Sequence, residues 1–80
     1  MDINQYNELN KRHLSIGLNG LRLYYGHTLE DLAEYTSKDV AYLSRLENGK
    51  TSPKMETISN ILSFYEMTLK DFYDRLDDFI

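Results

Sequence analysis

The sequence predicts an all-α domain of five helices. Apolar residues recur at helical spacing through successive segments, as Leu18 with Leu21, Leu29 with Leu32, Leu43 with Leu46, and Ile58 with Ile61 and Leu62 show. Most of these segments open on a residue able to cap a helix, Thr28, Asp39, Ser52 and Thr68 among them. Gly26 and Gly49 close the first and third, where a left-handed residue can end a helix. Asn48-Gly49 would mark a hairpin between alternating strands, but both its flanks are helical.

The first 13 residues, MDINQYNELNKRH, are polar with weakly spaced apolar positions and are expected to form a mobile arm or partial helix, either a solvated leader or an arm that reaches DNA or a second subunit with the help of Lys11 and Arg12, leaving 14–80 as the domain. Helix 1 is expected from about Ser15, a possible cap, to Gly26. Gly17 and Gly20 each weaken a helix by about 1 kcal/mol relative to Ala, so close approach of another helix is expected at Gly20. Helix 2 starts at Thr28, whose partner three residues on, Asp31, completes a capping box; Leu29, Leu32, Ala33 and Tyr35 face inward. Asp39 caps helix 3, with Leu43 and Leu46 inward and Val40, Ala41, Ser44 and Arg45 outward. Ser52 and Pro53 open helix 4, whose core stripe is Met55, Ile58, Ile61, Leu62 and Tyr65.

Thr68 and Asp71 repeat the capping box and start helix 5, which carries Leu69, Phe72, Tyr73, Leu76, Phe79 and Ile80. That is more apolar surface than one edge of so small a domain usually buries, so part of this face is expected to meet a second subunit. The alternative is that Phe79 and Ile80 cover the open end of the domain.

With 80 residues the chain forms one domain, which buries roughly 60–65% of the surface its unfolded chain exposes. No apolar run approaches the ~18 residues of a membrane span, and no basic-then-apolar leader is present, so a soluble, cytoplasmic protein is expected. The absence of cysteine excludes disulfides and thiolate metal sites. His13 and His27 stand outside any ligand spacing, and the glycines form neither a dinucleotide fingerprint nor a phosphate loop. No metal, no cofactor and no enzymatic activity are therefore expected.

The net charge of −4 opposes nucleic-acid binding by the chain as a whole, but the charges are segregated. Residues 36–55 carry Lys38, Arg45, Lys50 and Lys54 against Asp39 and Glu47, whereas 66–80 carry Glu66, Asp71, Asp74, Asp77 and Asp78 against Lys70 and Arg75. Two short helices with a three-residue turn, a glycine stop and a basic loop have the layout of a helix-turn-helix, so one basic face is expected to meet DNA. Val40 and Ala41 suit thymine methyl groups, and Arg45 can reach guanine or phosphate.

The stretch LRLYYGHTLEDLAEYTSKDVAYLSRLENGKTSP resembles the lambda-repressor-like, Cro-type helix-turn-helix family, also called XRE-like. The matching positions are Arg22, Gly26, Thr28, Glu30, Leu32, Ala33, Leu43, Ser44, Leu46, Glu47, Gly49 and Pro53. The resemblance implies a five-helix domain that binds operator DNA as a dimer and acts as a repressor or activator. It puts Asp39, Val40, Ala41, Tyr42, Ser44 and Arg45 on the groove-facing helix, and Asn48, Lys50, Thr51 and Lys54 on the segment that touches phosphates. It further implies a buried ion pair of Arg22 with Glu47. Lys38 replaces a usually apolar residue and is expected to reach towards DNA, while Ser37 replaces the turn glycine and Leu29 the glutamine that often holds a phosphate. The leading expectation is a dimeric, DNA-binding repressor; the alternative is a protein-binding module, antirepressor or antitoxin-like, that keeps the fold and meets a protein partner through helix 5.

Overall fold

The computed structural model describes all residues 1–80, and its regular elements are all helices: α1 (Ile3–Tyr24), α2 (Leu29–Thr36), α3 (Val40–Glu47), α4 (Met55–Phe64), α5 (Leu69–Asp74) and α6 (Leu76–Phe79). The all-α class holds, with six helices in place of the expected five. The difference lies at Arg75, whose φ of −105° and ψ of 10° interrupt the last segment, so the expected helix 5 becomes α5 and α6.

The start of α1 also differs. It begins at Ile3 and not near Ser15, because Asp2 and Gln5 form a reciprocal capping box: the Gln5 N–H donates to Asp2 Oδ1 at 2.9 Å, and the Asp2 N–H to Gln5 Oε1 at 3.1 Å. Residues 1–10 are all exposed, so local capping and not burial defines this end. Ser15 caps nothing and lies buried in mid-helix.

The remaining starts follow cap chemistry where a cap bond forms. Thr28 accepts from the Asp31 N–H while Asp31 accepts from that of Thr28, and Thr68 with Asp71 repeats the arrangement. At α4 no side chain caps the helix, and the first turn starts beyond Pro53 at Met55. Met55 is consequently 56% exposed at an open helix end and leaves the core stripe to Ile58, Ile61 and Leu62. Tyr35 is likewise displaced from the core: its ring lies against Phe64 at 5.0 Å, and its hydroxyl pairs with Ser63 at the surface.

Ten residues form the core, namely Leu18, Leu21, Leu32, Leu43, Leu46, Ile58, Ile61, Leu62, Phe72 and Phe79. The two glycines of α1 let the end of the chain dock closely. A Cβ at Gly17 would stand 3.0 Å from the Phe72 ring, and one at Gly20 would overlap the Phe79 carbonyl. This docking corrects the expected dimer face. Phe72 and Phe79 are buried within the subunit, Leu69 and Leu76 are half-buried against the core, and only Tyr73 and Ile80 of that set stand exposed. No helix is long and apolar enough to cross a membrane.

Candidate nucleic-acid interface

The turn between α2 and α3 fixes the angle at which α3 is presented. Ser37 adopts left-handed backbone with φ 59° and ψ 27°, a conformation that disfavours a residue bearing a Cβ by about 1–2 kcal/mol. Asp39 then caps α3, its carboxylate accepting the Tyr42 N–H at 2.7 Å. The carboxylate is thereby engaged with the helix dipole at the start of α3.

Leu43 and Leu46 anchor α3 in the core, which leaves Ala41 and Arg45 exposed and Val40, Tyr42 and Ser44 half-buried along its outer side. Tyr42 packs partly onto the core, and Lys38 Nζ sits 5.8 Å from its ring centroid. The end of α3 is tied down by Asn48, whose amide donates to the Ser44 carbonyl at 2.8 Å.

Arg22 and Glu47 lock α1 to α3 from behind. The Arg22 Nε donates to Glu47 Oε2 at 2.9 Å and Nη2 to Oε1 at 3.0 Å; Nη1 reaches the His27 carbonyl at 2.9 Å. Asn19 adds a further donor to Glu47 Oε1 at 2.7 Å. The hydrogen bond that Arg22 donates to Glu47 raises the Arg22 pKa above its already high ordinary value, against the opposing effect of burial.

Lys38, Asp39, Tyr42, Arg45, Thr51 and Lys54 share a concavity of about 430 Å³ with Ser37, Ser52 and Thr57. Val40, Ala41, Ser44, Asn48 and Lys50 lie outside it. Asn48 instead lines a second cleft, of about 520 Å³, with Arg12, Ser15, Ile16, Asn19, Glu47 and Gly49. Ser52 and Thr57 stand outside the interface expected from the sequence, whereas Arg12 was expected only on a DNA-reaching or dimer-contacting arm. Spacing along the chain could have suggested Thr57, one turn beyond Lys54, but Arg12 joins this cleft only because α1 continues past Ser15 towards Ile3.

The helix-turn-helix family matches residues 21–72. The HTH-type transcriptional regulator DdrOP3 of Deinococcus deserti is 37% identical over 60 residues, which cover 75% of this chain and 46% of that protein. The matched region thus spans less than half of the relative's length. No solved structure matches.

Proposed function

The chain belongs to the helix-turn-helix family, which is DNA-binding and non-enzymatic, and on that premise we propose that it is a cytoplasmic transcriptional repressor that binds operator DNA as a dimer with α3 in the major groove. One observation carries the reading. Of nine lysines and arginines, four make salt bridges, namely Lys11, Arg22, Lys70 and Arg75, and five make none. Four of those five, Lys38, Arg45, Lys50 and Lys54, lie between the α2–α3 turn and the start of α4, so the uncompensated positive charge concentrates around α3.

In this reading the residues divide their work. Lys38, Lys50, Thr51 and Lys54 hold phosphates and set the register, with Asn48 at the end of α3 beside them. Ala41, with the accessible part of Val40, supplies apolar contact to thymine methyl groups, and Arg45 reads a guanine edge. Tyr42 and Ser44 border that edge, and Asp39 contributes by fixing the first turn of α3. Few phosphate contacts and an overall charge of −4 imply modest, salt-sensitive affinity. A second copy would bind an adjacent half-site, meeting the first through what remains open on α5 and α6, Tyr73 and Ile80 with the margins of Leu69 and Leu76.

The test is a selection of bound duplexes from a random pool at two salt concentrations, together with the protein's mass in solution. Enrichment of a two-fold-related site and a dimer mass support the reading; no enrichment at either concentration rejects it. The exposed Tyr73 and Ile80 also suit the second reading, a protein-binding module, for which a stoichiometric protein complex without salt-dependent DNA affinity would be the result.

A further inference from the structure

Arg12 is the fifth cation without a carboxylate partner, and it alone lies far from α3 in sequence. In space it does not. The unbroken run of α1 sets Arg12, Ser15, Ile16 and Asn19 along the face that borders the α3–α4 turn, so that Arg12 shares a cleft with Asn48 and Gly49, next to Lys50 in the chain. Glu47 also lines this cleft, but Arg22 and Asn19 engage both its oxygens and offset its charge. The Arg12 charge meets no such compensation. Ser15, which also lines the cleft, is buried and its hydroxyl has no hydrogen-bond partner in the protein, an unmet polar group at the floor of the cleft.

We propose that Arg12 contacts a backbone phosphate of the bound duplex beside the one held by Asn48 and Lys50, and that the amino-terminal extension of α1 acts as a helical second rail on the DNA. A guanidinium suits this task because its fork can engage two phosphate oxygens at once. The proposal rests on the DNA-binding reading above.

The experiment measures affinity of the full chain for its selected duplex and for a random duplex across a salt series, for wild type, Arg12→Ala and Arg12→Lys. Arg12 is exposed, and an unchanged circular dichroism spectrum with an unchanged unfolding midpoint establishes that each variant folds. The expected result is that Arg12→Ala lowers the slope of log affinity against log salt by about 1, weakens both duplexes by the same factor, and leaves base preference intact. Arg12→Lys should restore most of the slope. A wild-type slope in Arg12→Ala overturns the phosphate role, as does a loss confined to the selected duplex, which would make Arg12 a base reader. If wild type itself shows no salt-dependent duplex binding, the DNA-binding reading fails and this inference fails with it.

Discussion

Arg22 and Glu47 face each other across the junction of α1 and α3 with only 13% and 6% of their side chains exposed, both carboxylate oxygens accepting from the guanidinium. Such a pair fixes geometry more than it adds stability, because each ion loses most of its hydration on burial. Removing one partner leaves the other charge buried and unpaired. Glu47→Ala and Arg22→Ala should therefore each destabilise the fold by about 3–5 kcal/mol, and a double change to Met and Leu by much less. Urea unfolding followed by circular dichroism gives the comparison, and equal losses for single and double variants would contradict the account.

Gly20 decides whether the end of the chain can dock. An added methyl group would gain about 1 kcal/mol of helix propensity but would overlap the Phe79 carbonyl, a backbone atom that cannot rotate away. The clash outweighs the gain. Gly20→Ala should destabilise by about 1–3 kcal/mol, with increased hydrogen exchange confined to α5 and α6. A variant as stable as wild type would mean that the terminal segment does not hold this position.

Gly20 also illustrates what the sequence allows to be read. A glycine in mid-helix already asks for a close neighbour, and the regular caps at Thr28, Asp39 and Thr68 announce their helices because each cap bond is local. The partner of Gly20 was not legible, since it depends on the break at Arg75, where packing of α6 onto α1 overrides a continuous apolar pattern. The same override sank Phe72 and Phe79, which periodicity alone could not tell from an outer face. At α1 the polar composition leaves arm and partial helix both open, and the Asp2–Gln5 capping box is the local signal that starts the helix at Ile3. For the interface, the cations of 38–54 were visible as a charge run, but the cleft that brings Arg12 to Asn48 exists only in three dimensions.

Ser37 holds a left-handed conformation that glycine adopts without the Cβ penalty. Replacement by Gly relieves about 1–2 kcal/mol of strain and loses about 0.5–1 kcal/mol through greater freedom of the unfolded chain, so the balance favours the variant. Ser37→Gly should raise the thermal midpoint by a few degrees, and Ser37→Val should lower it. A scanning calorimetry trace for each variant checks the sign.

Tyr65 brings a pH dependence at the alkaline end. Burial, followed by the charge of Glu47, pushes its phenol up to about 12 from the ordinary value near 10, and its hydroxyl has no hydrogen-bond partner. A pKa raised by folding means that the contribution to stability is fully present below about 10 and is lost as the pH rises towards 12. Tyr65→Phe should remove this decline and, with no bond to break, should equal or exceed wild type at neutral pH by up to about 1 kcal/mol. Unfolding midpoints between pH 8 and 12 test both parts, and a Phe variant that loses stability in parallel with wild type would refute them.

Arg45 and Lys54 border the same concavity yet should fail differently when removed. A guanidinium bonded to both acceptors of a guanine contributes sequence discrimination, while an ammonium beside a phosphate contributes charge alone. Arg45→Ala should therefore weaken the selected duplex by about 1–3 kcal/mol and relax preference at one base pair of each half-site. Lys54→Ala should weaken selected and random duplexes alike and reduce the salt slope by about 1. Neither residue belongs to the core, so both variants should unfold at the wild-type midpoint and keep any difference in binding separate from folding. Competition titrations with single-base variants of the selected site measure the discrimination directly. If Arg45→Ala lost affinity uniformly over every base variant, the arginine would be a phosphate contact, and base reading would fall to Ala41 and Val40 through thymine methyl groups.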